Sequence, residues 1–295
     1  MKPARFRYWA PDTVGEVVDF LASHGDDVKL LAGGQSLMPV MNMRLARPEY
    51  LIDLNSVGGL AGIGQGDDDI VVVGAMTTHE AILDSDLVKH ACPLLHVAAP
   101  WIGHSAIRHR GTVGGSLVHA DPAAELPAVA VALEAEIVLR RDRGSRTVPA
   151  EEFFVSYFTT STEPDELVTE VRFPAQPAGA RVAVKEIARR RGDFALAGVA
   201  VSVTVEPDAV VSSARICAFG VGEVPRRMRE AEAALTGSRP SDGLLHEAGE
   251  LAAKAVEPES DMHASATYRR DMTSVLTRRA LQMALADDGR ALVNS

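Results

Sequence analysis

Residues 30–42 of this 295-residue chain read LLAGGQSLMPVMN, and the paired glycines in this stretch are its most informative feature. The apolar run 28-VKLLAG-33 predicts a short buried strand that ends at the glycines. A buried strand gains no side-chain packing from glycine. The pair therefore predicts either a tight turn or a place where another group comes close to the backbone.

A second glycine-rich turn follows at 112-TVGGS-116. Small residues let backbone N–H groups approach a phosphate, and hydroxyls such as that of Ser36 can add donors. In the second turn, Thr112 and Ser116 flank what the sequence predicts to be another set of open amides. Neither turn has the spacing of a dinucleotide fingerprint or a P-loop, although Asp53 lies at a plausible distance for a ribose-binding acid. Spacing alone leaves two interpretations open: a pyrophosphate held from both sides, or two structural turns.

Composition excludes several classes of protein. The formal net charge is −10, and no block of basic residues stands out, which argues against nucleic-acid binding. No apolar stretch is long enough to span a membrane, and the first residues lack the apolar segment of a signal peptide. The two cysteines, Cys92 and Cys217, are far apart in apolar surroundings. We therefore expect reduced thiols in a cytoplasmic protein and no metal or cluster ligands on this chain.

The order of patterned segments predicts two domains. A helix from Asp12 to Gly25, with capping-box residues Thr13 and Glu16, leads into the first glycine turn. Asp121 and Pro122 are predicted to begin a second helix that runs to about residue 134. The stretch 174-PAQPAGA-180 is the predicted boundary, and three strands and then helices at 226–235, 244–256 and 266–285 follow it. The prediction is one domain at 1–175, with subdomains at about 1–55 and 56–175, and another at 181–290.

Three segments carry a resemblance to a known family: 31-LAGGQSLMPVMNMRLARPEYLIDLN-55, 107-IRHRGTVGGSLVHADPAAELPAVAVALEAEIVL-139 and 185-KEIARRRGDFALAGVAV-201. In these segments the chain is similar to the FAD-binding medium subunit of the molybdenum hydroxylases, the family of xanthine dehydrogenase and aerobic carbon monoxide dehydrogenase. The match covers essentially the whole chain. It implies an α+β fold: a p-cresol methylhydroxylase-type FAD-binding domain with two α/β subdomains, then a three-stranded antiparallel sheet with a helical bundle that contacts other subunits.

The same resemblance implies roles for particular residues. The FAD pyrophosphate and its surroundings would be held by Leu31, Ala32, Gly33, Gly34, Gln35, Ser36, Leu37, Thr112, Val113, Gly114, Gly115 and Ser116. Glu125 would face the ribityl or ribose hydroxyls. Lys185 would lie near the flavin pyrimidine carbonyls, where a cation stabilises negative charge on the reduced ring. Ile102 and Leu167 would contact the isoalloxazine, and Phe194 would shield one of its faces.

The chain departs from the family pattern at three of these places. Glu125 is one methylene longer than the usual aspartate, and Phe194 lacks the hydroxyl of the tyrosine that relatives often carry. His109 stands where asparagine is frequent. None of these changes touches the phosphate-binding turns, so they bear on the redox tuning of the flavin.

The function implied by the resemblance is electron transfer by a non-covalently bound FAD, with no catalytic residue or metal ligand on this chain. A large partner subunit would carry a molybdopterin-type molybdenum centre, and a small one would carry two [2Fe–2S] clusters. The expected assembly is a dimer of heterotrimers that passes electrons to an external acceptor such as NAD⁺, a quinone or dioxygen. The chain has no four spare cysteines, which argues against the hydroxybenzoyl-CoA reductase branch, whose medium subunit carries a cluster of its own.

Two alternatives stay open from the sequence. One is a free-standing FAD-dependent oxidoreductase of the same fold, although no catalytic acid–base pair supports it. The other is a scaffold subunit that has lost its flavin, against which the intact glycine turns argue. The substrate of the complex also stays open, since carbon monoxide, aldehydes, purines and N-heterocycles such as nicotine derivatives all fit the family.

Overall fold

The computed structural model describes residues 2–286, so the predicted domain end at residue 290 lies outside the described residues. The strands are β1 (Arg7–Trp9), β2 (Val28–Leu31), β3 (Tyr50–Asp53), β4 (Ile63–Gln65), β5 (Ile70–Gly74), β6 (Glu136–Arg141), β7 (Gly144–Pro149), β8 (Phe154–Ser156), β9 (Thr159–Thr160), β10 (Leu167–Pro174), β11 (Arg181–Ile187), β12 (Ala197–Val205), β13 (Val211–Phe219) and β14 (Arg226–Arg227). The α-helices are α1 (Val14–His24), α2 (Leu37–Asn42), α3 (His79–Leu83), α4 (Asp86–Ala91), α5 (Pro93–Ala98), α6 (Ser105–Arg108), α7 (Val113–His119), α8 (Glu125–Ala132), α9 (Ala150–Phe153), α10 (Arg229–Leu235), α11 (Asp242–Ala255) and α12 (Ala266–Ala286).

The first sheet is a parallel sheet of three strands in the order β1-β3-β2, and helix α1 packs on it. The predicted capping box is confirmed, because the Thr13 side chain accepts from the Glu16 amide and Glu16 accepts from the Thr13 amide. Valines and leucines of α1 form a small core with β2 and β3. The first glycine turn therefore follows β2 at the carboxyl edge of a parallel sheet, which is where such sheets usually bind ligands.

The second sheet has the order β4-β5-β10-β6-β7 and is antiparallel throughout. It shares the central core with helices α5, α7 and α8. Every residue of α8 is buried, which suits its small and apolar sequence ELPAVAVA. The prediction that this helix begins at Asp121 is wrong: it begins at Glu125, because the Asp121 side chain accepts from the Ala123 amide and closes a turn instead.

The C-terminal sheet is antiparallel and has four strands, β11-β12-β13-β14, where the sequence predicted three. The fourth strand is only two residues long, and the sequence predicted those residues as the start of a helix. Two residues are too few to show the alternation of a strand. The Arg227 side chain is held by Glu232 and Glu134, which fixes the chain in an extended conformation just before α10.

This C-terminal sheet lies between two cores. Val184, Ala200 and Phe219 belong to the central core, which they share with the N-terminal helices. The opposite face, with Ala183 and Val199, packs against α10, α11 and α12. Both cysteines are buried as free thiols, as predicted. Within residues 2–286, the helices include none that combines the length and the apolar character needed to cross a membrane.

Candidate functional site

The first glycine turn presents a run of unused backbone donors. Within the described residues, the N–H groups of residues 33–37 donate to no backbone or side-chain acceptor. Gly34 has φ +72°, a left-handed conformation that side chains rarely adopt, and this conformation turns the chain from β2 into α2. Ser36 precedes α2, but its hydroxyl makes no capping hydrogen bond. Consecutive open amides and a free hydroxyl form a concave set of donors suited to an anion.

The two glycine turns touch each other. A Cβ atom on Gly33 would collide with the Arg110 carbonyl oxygen and would lie 2.8 Å from the Gly111 Cα. On the other side of the contact, a Cβ atom on Gly115 would lie 3.4 Å from the Ala32 Cβ. The close approach of two backbones therefore explains why the first turn has glycine at position 33. The sequence predicted two similar turns, and the structure shows that they form one surface.

The second turn differs from the expectation of open amides. The amide of Val113 donates to the Thr77 carbonyl at 2.9 Å, and that of Gly114 donates to the Ala75 carbonyl at 2.8 Å. The next two amides donate to Thr112, one to its hydroxyl and one to its carbonyl. The backbone amides of this turn are therefore already used as donors, two of them to the segment just after β5 and two to Thr112, the N-cap of α7. A Cβ atom on Gly114 would lie 2.6 Å from the Ala75 Cβ, so this glycine serves close packing.

This geometry fits a pyrophosphate that is held unequally from the two sides. The first turn supplies amides, and the second supplies hydroxyls. Within the described chain, the Ser116 hydroxyl has no hydrogen-bond partner, and the Thr112 hydroxyl, which accepts from the Gly115 amide, keeps its own proton to donate. The dinucleotide FAD is therefore compatible with the residues present, and it would lie across the joined turns.

Glu125 is the most buried acid predicted for the site. It begins α8 and is only 6% exposed. Burial raises its pKa to about 7, and the negative charge of Asp121 acts in the same direction. The resemblance pointed to Glu125, but nothing in the sequence indicated that burial would raise its pKa close to neutral pH. A carboxyl group in this state can both donate and accept hydrogen bonds, which suits hydroxyl groups as partners.

Strand β11 separates Lys185 from its neighbour Glu186. Lys185 pairs with Val199, whose side chain belongs to the core around α10–α12. Glu186 pairs with Gly198 and lies on the opposite face, which Val184 shares and which packs on the central core. Lys185 therefore lies on the face of the edge strand β11 that packs against helices α10–α12. Sequence reasoning missed Glu186, although a glutamate in the alternating run RVAVKEI was a detectable signal.

The residues expected around the isoalloxazine are distributed unevenly. Phe194 is 59% exposed and lines a cavity of about 780 Å³ together with Asp121 and Phe158. Ile102 is half-buried against the central core. Leu167 is 2% exposed in the small core around α1, so the structure does not bring it to the open side of the turns.

Comparison with known proteins agrees with this geometry. Residues 4–176 match the family described as the FAD binding domain in molybdopterin dehydrogenase, and residues 182–284 match the CO dehydrogenase flavoprotein C-terminal domain. The chain is 42% identical to the 6-hydroxypseudooxynicotine dehydrogenase complex subunit alpha of Paenarthrobacter nicotinovorans, covering 97% of this chain and 96% of that protein. It is 39% identical to the carbon monoxide dehydrogenase medium chain of Hydrogenophaga pseudoflava, covering 97% and 99% of the two chains.

Solved structures give the same result. Carbon monoxide dehydrogenase from Hydrogenophaga pseudoflava, in a form that lacks the Mo-pyranopterin moiety, superposes with a TM-score of 0.93 at 40% identity, over 97% of this chain and 99% of that one. Quinoline 2-oxidoreductase from Pseudomonas putida 86 superposes with a TM-score of 0.92 at 34% identity, covering 97% and 99%. The two family matches, the relatives at about 40% identity and the full-length structural similarity lead to one conclusion: the chain belongs to the FAD-binding flavoprotein family of the molybdopterin dehydrogenases.

Proposed function

We propose that this chain is the FAD-carrying electron-transfer subunit of a heteromeric molybdenum hydroxylase or dehydrogenase. The observation that carries the proposal is the run of unused amides at residues 33–37, pressed against the hydroxyl-bearing second turn. When bound, FAD supplies reversible one- and two-electron redox chemistry. The chain itself binds and orients the cofactor: the turns take the pyrophosphate, and Glu125 takes hydroxyl groups.

The other redox centres belong to partner subunits. An iron–sulfur cluster takes four cysteine thiolates, and this chain has two cysteines, both buried and far apart in the sequence. Burial raises the pKa of Cys92 to about 12, so this thiol is a poor ligand and a poor nucleophile. A large molybdenum-cofactor subunit and a small iron–sulfur subunit are therefore part of the proposal, and the names of the relatives as medium chains and complex subunits support it.

Finer points of the assembly are also proposals. We infer a dimer of heterotrimers, in the cytoplasm, that delivers electrons to an external acceptor. The boundary between the two domains would lie between residues 175 and 181, where the two family models meet. Substrate choice would belong to the molybdenum subunit. An N-heterocycle is the first class to test, because relatives at about 40% identity are named for nicotine compounds.

The cofactor assignment has a direct test. The purified chain should be yellow, and acid precipitation should release all of the colour as FAD, identified by chromatography against FAD and FMN standards. Release without proteolysis is expected because nothing in the site calls for a covalent link. A colourless chain that does not bind added FAD would refute the proposal, and FMN in place of FAD would contradict the pyrophosphate-binding role of the turns.

A further inference from the structure

Glu186 is a half-buried acid for which the binding site described above has no use. Strand alternation places it on the face of β11 that packs on the central core, opposite the helices α10–α12. Its Oε2 atom is buried and has no hydrogen-bond partner. Buried polar atoms in proteins are nearly always paired, so an orphaned carboxyl oxygen needs an explanation.

Strand register places Glu186 near the start of α8, where Glu125 lies: Glu186 pairs with Gly198, Gly198 pairs with Phe219, and the next amide, that of Gly220, donates to the Pro122 carbonyl. Burial raises the pKa of Glu186 to about 8, and the negative charge of Glu125 adds to the increase. In the part of the chain that the structure describes, no other residue forms a hydrogen bond with the Glu125 side chain, which lies near its own backbone amide. Within the described residues, no lysine or arginine forms an ion pair with either glutamate, although other buried acids such as Glu232 do have such a partner. Two neighbouring acids without a cation leave hydrogen-bonding capacity unused.

The chemistry of the pair indicates what it can bind. Two close carboxyl groups in a buried setting cannot both be ionised at neutral pH, so together they offer at least one O–H donor and several acceptor oxygens. A phosphate would be repelled by such a pair. A neutral polyol matches it, because each hydroxyl both donates and accepts. FAD carries a polyol, the ribityl chain, between its pyrophosphate and its ring.

We propose that Glu186, on strand β11, is a cofactor-binding residue that hydrogen-bonds the ribityl hydroxyls of FAD together with Glu125 of α8. This inference rests on the proposed function. It gives the C-terminal domain a direct part in holding the cofactor, while the glycine turns hold the pyrophosphate from the N-terminal side. The cofactor then bridges the two parts of the chain, and Glu186, rather than its neighbour Lys185, is the residue of β11 that faces the N-terminal half of the site.

The proposal predicts that two variants affect different halves of FAD. The Glu186→Ala variant of the full chain, freed of flavin, should bind FAD about tenfold or more weakly, which corresponds to losing hydrogen bonds to a charged or shared-proton group. Its affinity for ADP, which has the pyrophosphate but no ribityl chain, should be unchanged. A Gly33→Ala variant should weaken binding of both ligands. Isothermal titration with FAD and then ADP measures both affinities.

Stability provides the readout that separates binding from folding. The titratable groups on elements packed against this face are Glu125 on α8, Asp121 before it and His96 on α5. Both glutamate pKa values are raised above the ordinary 4.5, so the folded chain holds these protons more tightly than the unfolded chain. Stability contributed by the pair is therefore lost as pH rises to about 8. Glu186→Gln removes one of these charges and should melt no lower than the unaltered chain at pH 8.

Matched controls make the outcomes unambiguous. Glu206→Ala removes an exposed glutamate from the hairpin of the same sheet and should leave both affinities unchanged. Glu186→Gln keeps hydrogen-bonding groups and should lose less FAD affinity than Glu186→Ala. Unchanged FAD affinity in Glu186→Ala, or equal losses for FAD and ADP, would overturn the inference. If the unaltered chain bound no FAD, the proposed function itself would fail, which is a distinct result.

Discussion

Replacing Gly33 with alanine should strip the flavin from the protein. The new Cβ atom would collide with the Arg110 carbonyl oxygen and would lie 2.7 Å from its carbonyl carbon. These are backbone atoms just before the second turn, so the contact cannot be relieved by a side-chain rotation. The two turns must separate, and the pyrophosphate site separates with them. Overpacking of this kind costs about 1–3 kcal/mol, which would correspond to a loss of roughly 5- to 150-fold in FAD affinity.

The measurement is a titration of the flavin-free variant with FAD, in which the quenching of flavin fluorescence reports binding. Gly64→Ala is the matched control, because a Cβ atom at Gly64 meets no atom within 4 Å and the residue has no left-handed backbone conformation. The control should bind FAD normally. Normal flavin content in Gly33→Ala would mean that the contact between the turns has no part in binding.

Truncation of Glu232 to alanine should produce the largest loss of stability outside the binding site. Arg227 donates to both Glu232 oxygens, at 2.6 and 2.8 Å, and both residues are 7% exposed. The Ile216 amide donates to the same carboxylate at 2.7 Å. Removing Glu232 leaves a buried guanidinium with one partner, Glu134 at 3.2 Å, and an amide with none. Breaking a buried pair in this way costs about 3–5 kcal/mol.

Chemical denaturation of the flavin-free chain gives this free energy of unfolding, because bound FAD would itself add stability. The exposed pair between Arg229 and Glu151 provides the comparison. Arg229→Ala should cost no more than about 1 kcal/mol, since exposed ion pairs are screened by water and salt. A Glu232→Ala variant as stable as this control would show that the buried pair contributes little.

The parts of the fold that sequence predicted well are those with strong local signals. The capping box of Thr13 and Glu16 and the apolar face of α1 fix that helix in the sequence itself. Helix α12, from Ala266 to Ala286, agrees with the predicted 266–285 because a run of this length contains many helical turns. The C-terminal strands β11 to β13 are rich in valine and other apolar residues, so their number was wrong only by the two-residue β14.

The remaining features depend on contacts between distant segments. The start of α8 was misplaced because Asp121 can cap either a helix or a turn, and the choice depends on its surroundings. The open and closed amides of the two glycine turns look alike in sequence. They differ because the backbone carbonyls of Thr77 and Ala75 accept hydrogen bonds from amides of the second turn. The position of the half-buried Glu186 near Glu125 likewise arises only when β11 packs on the central core.

As an electron-transfer subunit, this chain should pass electrons to and from its flavin and should not itself oxidise a substrate. Anaerobic stopped-flow spectroscopy tests it most directly, on the isolated flavin-loaded chain and then on the complex with its iron–sulfur and molybdenum subunits. The substrate panel covers carbon monoxide, aldehydes, purines and N-heterocycles. We expect dithionite to bleach the flavin of the isolated chain, whereas a substrate should bleach it only in the complex. Rapid bleaching of the isolated chain by any of these substrates would contradict the electron-relay function.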